Sequence, residues 1–224
     1  MNTRIGIILA AGESSRLPGK AMLPVGVCGR PAICEVIASL EPHVGKIIIA
    51  LRDDSAIPDI VNAYADRAVL EHCEIAYHTQ YTSVGMPWAC RQVVEHIKDT
   101  NPVPDQCIVA FCDGMFIGGF PAMPSADDNM AFITATLPTV QTQHLDRWGF
   151  ESWLERDDPN VNDTMPCFTG PMILRTVSMF QASPGMSTVQ FLNKISARSV
   201  FHMRKWFDIG TPETYRAYQK YINE

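Results

Sequence analysis

Short apolar runs separated by segments of helical periodicity constrain this chain more than any other feature. Residues 4 to 10, 46 to 51, 73 to 79, 107 to 112 and 130 to 137 read as strands. Between them, residues 31 to 41, 57 to 69 and 86 to 98 place apolar side chains at helical spacing. Strands joined by helices of this length need crossover connections, which give a mostly parallel sheet covered on both faces. From about residue 138 the rhythm changes. A polar stretch over 139 to 147, a strand-like 148 to 155, a turn-rich loop at 156 to 160 and a further strand candidate over 167 to 174 are too short for a second domain. They read as a small antiparallel addition at one end of the sheet. Residues 187 to 197 read as a helix, 199 to 204 as a strand and 212 to 223 as a closing helix with Thr211 as N-cap. The expectation is one three-layer α/β/α Rossmann-like domain over residues 1 to 224, with ligands gathered at the carboxyl ends of the strands.

Composition narrows the function classes. With 224 residues and 46% hydrophobic content the chain can build a sizeable core. A net charge of -6 argues against a nucleic-acid partner, whose phosphates call for an excess of Lys and Arg. Seven cysteines with no C-x-x-C pair suggest a reduced, cytoplasmic protein. Neither a secretory leader nor an apolar run of about 18 residues is evident, so no membrane association is expected. The six histidines lack zinc spacing, although His78 lies two residues before Gln80. Oligomeric state has no signature in the sequence.

The loop after the first strand carries the chemistry. Ile7-Ile8-Leu9-Ala10-Ala11-Gly12-Glu13-Ser14-Ser15-Arg16-Leu17-Pro18-Gly19-Lys20 passes from an apolar run through small residues to one Arg and one Lys. Small residues admit a ligand close to the backbone, and the cations suit phosphate oxygens. An ordinary strand-to-helix loop with solvated cations fits these residues equally well. Two familiar phosphate loops do not. Gly12 and Gly19 have six residues between them where a Walker loop has four, and Ala21 stands where it needs Ser or Thr. Gly12-Glu13-Ser14 breaks the dinucleotide G-x-G-x-x-G at once.

Leu9 to Arg16 followed by Lys20 resembles the opening signature of the nucleotidyltransferases that join a nucleoside triphosphate to a sugar phosphate, of the glucose-1-phosphate thymidylyltransferase kind. Within it, Arg16-Leu17-Pro18-Gly19-Lys20 is similar to cytidylyltransferases that activate Kdo-type sugars. The resemblance continues at Gln80 and Gly85, which match the family's base-recognition pair, and at Phe111-Cys112-Asp113-Gly114, which matches its first metal Asp. Trp206-Phe207-Asp208-Ile209-Gly210-Thr211-Pro212-Glu213-Thr214-Tyr215 resembles its second metal Asp and closing segment. In the middle portion, Trp148-Gly149-Phe150, Glu155-Arg156 and Thr169-Gly170 resemble its sugar-side segments, with Arg156 where many members have Lys.

The resemblance implies transfer of a nucleoside monophosphate to a phosphorylated acceptor, most simply a sugar 1-phosphate, with release of pyrophosphate and with Mg²⁺ as cofactor. It implies that Leu9, Ala10, Ala11, Gly12, Glu13, Ser14, Ser15, Gln80 and Gly85 bind the nucleotide within a part spanning about residues 1 to 120. Arg16 and Lys20 act in catalysis and Asp113 and Asp208 hold the metal. Gly149, Glu155, Arg156, Thr169 and Gly170 meet the acceptor within the remainder of the chain. Gln80 is compatible with uracil, thymine or cytosine. Rival readings are a cytidylyltransferase for a non-sugar phosphate or phosphonate and a nucleotide-sensing domain without turnover. A metal-dependent glycosyltransferase is disfavoured because Asp113-Gly114-Met115 has only one Asp where such enzymes place D-x-D.

Overall fold

The computed structural model describes residues 4–12, 16–26, 28–52, 56–64, 73–79, 85–100, 104–124, 128–135, 145–149, 152–162 and 164–224. Its centre is a nine-stranded mixed sheet. Four strands run parallel: β1 (Ile5–Leu9) lies between β4 (Lys46–Leu51) and β6 (Gln106–Phe111), and β4 pairs with β5 (Glu74–Thr79). β11 (Cys167–Arg175) then joins β6 antiparallel and pairs on its other side with β8 (Met130–Thr134). β12 (Arg198–Phe201) adds to β8 in parallel, and the short hairpin β9 (Arg147–Trp148) and β10 (Trp153–Leu154) follows β11. The expected parallel sheet with an antiparallel addition is what the described residues form.

Alternation along the central strands sorts their side chains into two layers. Ile8, Ile47 and Ile49 point to one face, under α1 (Ala32–Leu40), α2 (Ile57–Tyr64) and the closing helix α6 (Pro212–Asn223). Ile7, Ile48 and Val109 point to the other, under α3 (Met86–Thr100) and α5 (Thr188–Lys194), with the single-turn α4 (Thr176–Met179) beside them. Each fully buried side chain of this size contributes roughly 1.5–3 kcal/mol, so both layers are needed to hold the sheet. Gly6 lets α1 approach β1: a Cβ there would lie 2.6 Å from Leu40 Cδ2.

Several elements depart from the sequence reading. The stretch from 148 to 155 is a hairpin, with Trp153 opposite Trp148, because Gly149 donates its N–H to Ser152 O at 2.8 Å and reverses the chain. A Cβ on Gly149 would meet Leu154 and Ser152, so its glycine serves this turn. Two three-residue strands, β7 (Gly114–Phe116) and β13 (Trp206–Asp208), pair antiparallel, as do the two-residue β2 (Pro24–Val25) and β3 (Arg30–Pro31), and neither pair has a counterpart in the sequence reading. α6 spans the residues expected, with Thr211 and Thr214 forming a reciprocal capping box. Among the described residues no helix is long and apolar enough to cross a membrane.

Candidate active site

The parallel register puts Leu9, Ala50 and Phe111 level at the carboxyl edge of the sheet. The chain leaves β1 and β6 there, and a cleft of about 370 Å³ opens above them. Leu9, Ala11, Gly12, Arg16, Lys20, Gly85, Asp113, Thr169 and Asp208, all singled out from sequence, line it. Ala10 instead continues the sheet, its N–H donating to Ala50 O at 2.8 Å. Gly149, Glu155, Arg156 and Gly170 are not among the lining residues. Glu155 accepts a hydrogen bond from the Ser187 hydroxyl, and the Arg156 side chain is exposed. Gly170 takes a left-handed φ of 59° at the irregularity in β11, where a Cβ would press on the Phe111 ring. Glu13, Ser14, Ser15 and Gln80 lie outside the described residues, as does Phe150.

Two local devices assemble the charged groups. Gly19, with φ 68°, starts the 3₁₀ turn Lys20–Met22 and lets the chain double back, and Ala21 is buried as its anchor. Lys20 then reaches across to Asp113, with which it forms an ion pair. The second device is the β7–β13 ladder, which sets Asp208 opposite Gly114, while Ile209 N–H donates to Asp113 O at 3.0 Å. The pairing brings two carboxylates distant in sequence to one point. Gly114 makes room for this: a Cβ there would lie 3.1 Å from Trp206 Nε1.

One of the two carboxylates is perturbed. Burial, and after it the charge of Asp113, hold the Asp208 carboxyl well above the ordinary range, against the Gly210 N–H that donates to its Oδ1 at 2.8 Å. Burial alone would depress the Lys20 ammonium, but Asp113, Cys112 and Asp208 together keep its pKa above the usual value. The cleft floor thus holds more acid than its lysine neutralises. Both carboxylates are hard oxygen donors, and among the described residues no group of three metal-ligating side chains forms. A divalent ion held here would take two protein carboxylates and complete its shell from phosphate oxygens and water, the mode that suits Mg²⁺. The residues fit such an ion.

Sequence reasoning missed part of the wall: Met86, Ala89, Leu145, Asp146, Phe168, Thr188 and Trp206. Trp206 and Phe168 each neighbour a residue that was found, Asp208 by two positions and Thr169 by one. Asp146 stood in a polar stretch with no periodicity to mark it.

Behind Thr169 lies a buried histidine. His202 Nε2 meets Thr169 Oγ1 at 2.9 Å, and burial lowers its pKa to about 4. Unfolded, this imidazole titrates near 6.5, so the unfolded chain binds the extra proton first as pH falls. Its contribution is complete above about pH 6.5 and is lost toward pH 4, at most about 3 kcal/mol. The His202→Gln variant is expected to show a shallower fall of melting temperature between pH 6.5 and 4.5 than the parent. Parallel melting curves check this, and equal slopes would remove His202 from the account.

An open α/β sheet whose strand ends carry two cations, two carboxylates and a cleft defines a class of enzymes that handle phosphate esters of nucleotides. The chain belongs to the MobA-like NTP transferase domain family, matched over residues 6–119. Over 53 residues it is 53% identical to a "probable molybdenum cofactor guanylyltransferase" of Haloferax mediterranei, a match that spans 23% of this chain and 24% of that protein. Two solved structures share the fold. One, described as a glucose-1-phosphate thymidylyltransferase from Bacillus anthracis, superposes with a TM-score of 0.75 at 16% identity, covering 99% of this chain and 96% of that one. The other, a UDP-glucose pyrophosphorylase from Acinetobacter baumanii, gives 0.71 at 14% identity, covering 96% and 92%.

Proposed function

We propose that the protein transfers a nucleoside monophosphate from a nucleoside triphosphate to a phosphorylated acceptor, first of all a sugar 1-phosphate, and releases pyrophosphate. The observation that carries this reading is the meeting of Arg16, Lys20, Asp113 and Asp208 in one cleft. An acceptor phosphate is already an anion near neutral pH, so the reaction needs no base. Its difficulty is the approach of two polyanions, which makes positioning and charge neutralisation the catalysis.

Arg16, exposed at the mouth, is assigned to the departing pyrophosphate. Lys20 leaves Asp113 for the reacting phosphate and offsets its charge. Asp113 and Asp208 would hold Mg²⁺, which would supply positive charge to offset that of the substrate phosphates. Ala11 and Gly12 bring backbone to the phosphates, and Gly85 the start of α3 to the nucleotide. Gly85 has φ 84°, and a Cβ there would lie 3.1 Å from Met186 O. We assign residues to about 120 to the nucleotide and the remainder to the acceptor. Glu13, Ser14, Ser15 and Gln80 keep their nucleotide-side assignment by the family resemblance, and Arg156 its assignment to the acceptor phosphate.

The stretch shared with the Haloferax protein favours a second reading, in which the nucleotide is GTP and the acceptor a non-sugar phosphate. One experiment tests both: pyrophosphate release with Mg²⁺ from each common triphosphate, paired with a panel of phosphorylated acceptors. Release that depends on triphosphate and acceptor together is expected, and the best pair names both. A protein that binds triphosphate without releasing pyrophosphate for any acceptor would be a sensing domain.

A further inference from the structure

The charged groups of the cleft stand on pieces of chain far apart in sequence, and the closing helix touches two of them at once. Lys20 opens the 3₁₀ turn Lys20–Met22, and the same segment runs on through β2 to Gly26. This stretch is tied together rather than slack. Leu23 N–H donates to Lys20 O at 3.3 Å, Ala32 N–H donates to Leu23 O at 2.9 Å, and Pro24 and Val25 pair with Pro31 and Arg30. Val25 is fully buried, and Gly26 takes a left-handed φ of 67°. A displacement of Gly26 is therefore passed along the backbone to the turn that bears the ammonium.

Tyr218 of α6 is 4% exposed, and its two parts meet different elements. The ring stands edge to face on Phe207, with centroids 5.4 Å apart. Phe207 directly precedes Asp208 on β13, and strand alternation sends the first to the core and the second to the cleft. The hydroxyl accepts from Gly26 N–H at 2.7 Å. A phenylalanine would fill the same core space, so packing accounts for the ring alone. The hydroxyl answers to the loop, as the polar tip of a buried tyrosine needs a partner. Tyr215 and Gln219 of the same helix support the loop beside it, both donating to Pro24 O at 2.8 Å.

We propose that Tyr218 is a positioning residue for the transfer reaction. Through Gly26 its hydroxyl fixes the loop that carries Lys20, and through Phe207 its ring backs the strand that carries Asp208. Ammonium and carboxylate are thereby held at a set spacing, which a reaction governed by placement of charge requires. The inference rests on the nucleotidyl-transfer reading and adds to that same site a residue that lies outside the cleft.

The test compares Tyr218→Phe with Tyr221→Phe in the full chain. Tyr221 also packs on Phe207, with centroids 5.4 Å apart, and among the described residues it has no hydrogen bond to the loop. Single-turnover pyrophosphate release with Mg²⁺, on the best pair of triphosphate and acceptor, is expected to slow at least ~10-fold in Tyr218→Phe, since small misplacements of reacting groups cost that much or more. The triphosphate concentration for half-maximal rate should change little. A second readout follows Lys20 without turnover. With the loop loosened, Lys20 leaves Asp113 open for a larger fraction of the time, so calorimetry should show Mg²⁺ alone binding nucleotide-free Tyr218→Phe at least ~3-fold more tightly than the parent. Tyr221→Phe should match the parent in both. A parental rate in Tyr218→Phe, an equal loss in Tyr221→Phe, or a slowed rate with Mg²⁺ binding unmoved overturns the proposal while transfer itself stands. No pyrophosphate from the parent with any pair overturns the transfer reading, and this inference with it.

Discussion

Asp208→Asn is expected to cut turnover at least ~100-fold, the scale for removing a major charge-stabilising group, and at the same time to make the protein more resistant to heat. The two effects have one cause. In the folded protein the Asp208 carboxylate is partly withdrawn from water and faces Asp113, so its ionised form is disfavoured relative to the unfolded chain. The sign follows from linkage: a carboxyl with a raised pKa in the folded state favours folding while protonated, and that advantage begins to fall as pH rises past the unfolded value and is gone above the folded one, about 6. At neutral pH the native protein therefore holds a charge it would be more stable without. Asparagine removes the charge and keeps an Oδ1 for the Gly210 N–H. A gain of ~1 kcal/mol would raise the melting temperature by about 2–4 °C in a protein of this size. Such an exchange of stability for activity is common where function stores unfavourable charge. Single-turnover rates and thermal melts at pH 7.5 decide the matter. Near-parental turnover would remove Asp208 from the metal role, and a lower melting temperature would show that its attraction to Lys20 and Arg16 outweighs its repulsion from Asp113.

Lys20→Ala is expected to lose ~100-fold or more in single-turnover rate, because the ammonium is the group placed to offset charge at the reacting phosphorus. The stability change should be smaller and of opposite sign to that of Asp208→Asn. Asp113 loses its ion-pair partner while remaining close to a second carboxylate, so the two acids repel with only Arg16 left to offset them. A third measurement separates this account from general damage. With the ammonium gone, Mg²⁺ alone should bind the nucleotide-free variant more tightly than the parent, as calorimetry reads directly. Unchanged or weaker Mg²⁺ binding would mean that Lys20 does not compete for the carboxylate pair.

The layers of the fold were legible because burial writes itself into periodicity. Ile5 to Leu9 and Lys46 to Leu51 alternate between two cores, and α6 carries its cap, its proline and its apolar face in plain order. The ladder of β7 and β13 was not legible. Gly114-Met115-Phe116 is too short to show a period, and its partner lies some ninety residues on. The charged site was found through motif chemistry at Arg16, Lys20, Asp113 and Asp208, and the structure supplied what motifs do not contain, namely that they share a cleft. On the acceptor side the resemblance pointed to Gly149 and Gly170, whose glycines answer to a turn and a left-handed backbone at the edge of that region. Thr169, also taken from the resemblance, does face the cavity, whereas Asp146, which lines it too, had no local pattern to announce it.

The tail of the chain closes the loop that carries Lys20. Tyr218 accepts from Gly26 N–H at 2.7 Å, and Tyr215 and Gln219 both donate to Pro24 O at 2.8 Å. Together with the Asp113–Asp208 pairing, these contacts join the beginning, middle and end of the polypeptide at one spot. Removing Pro212–Asn223 should therefore leave much of the sheet standing while releasing Pro24 and Gly26, and with them the turn that carries Lys20 to Asp113.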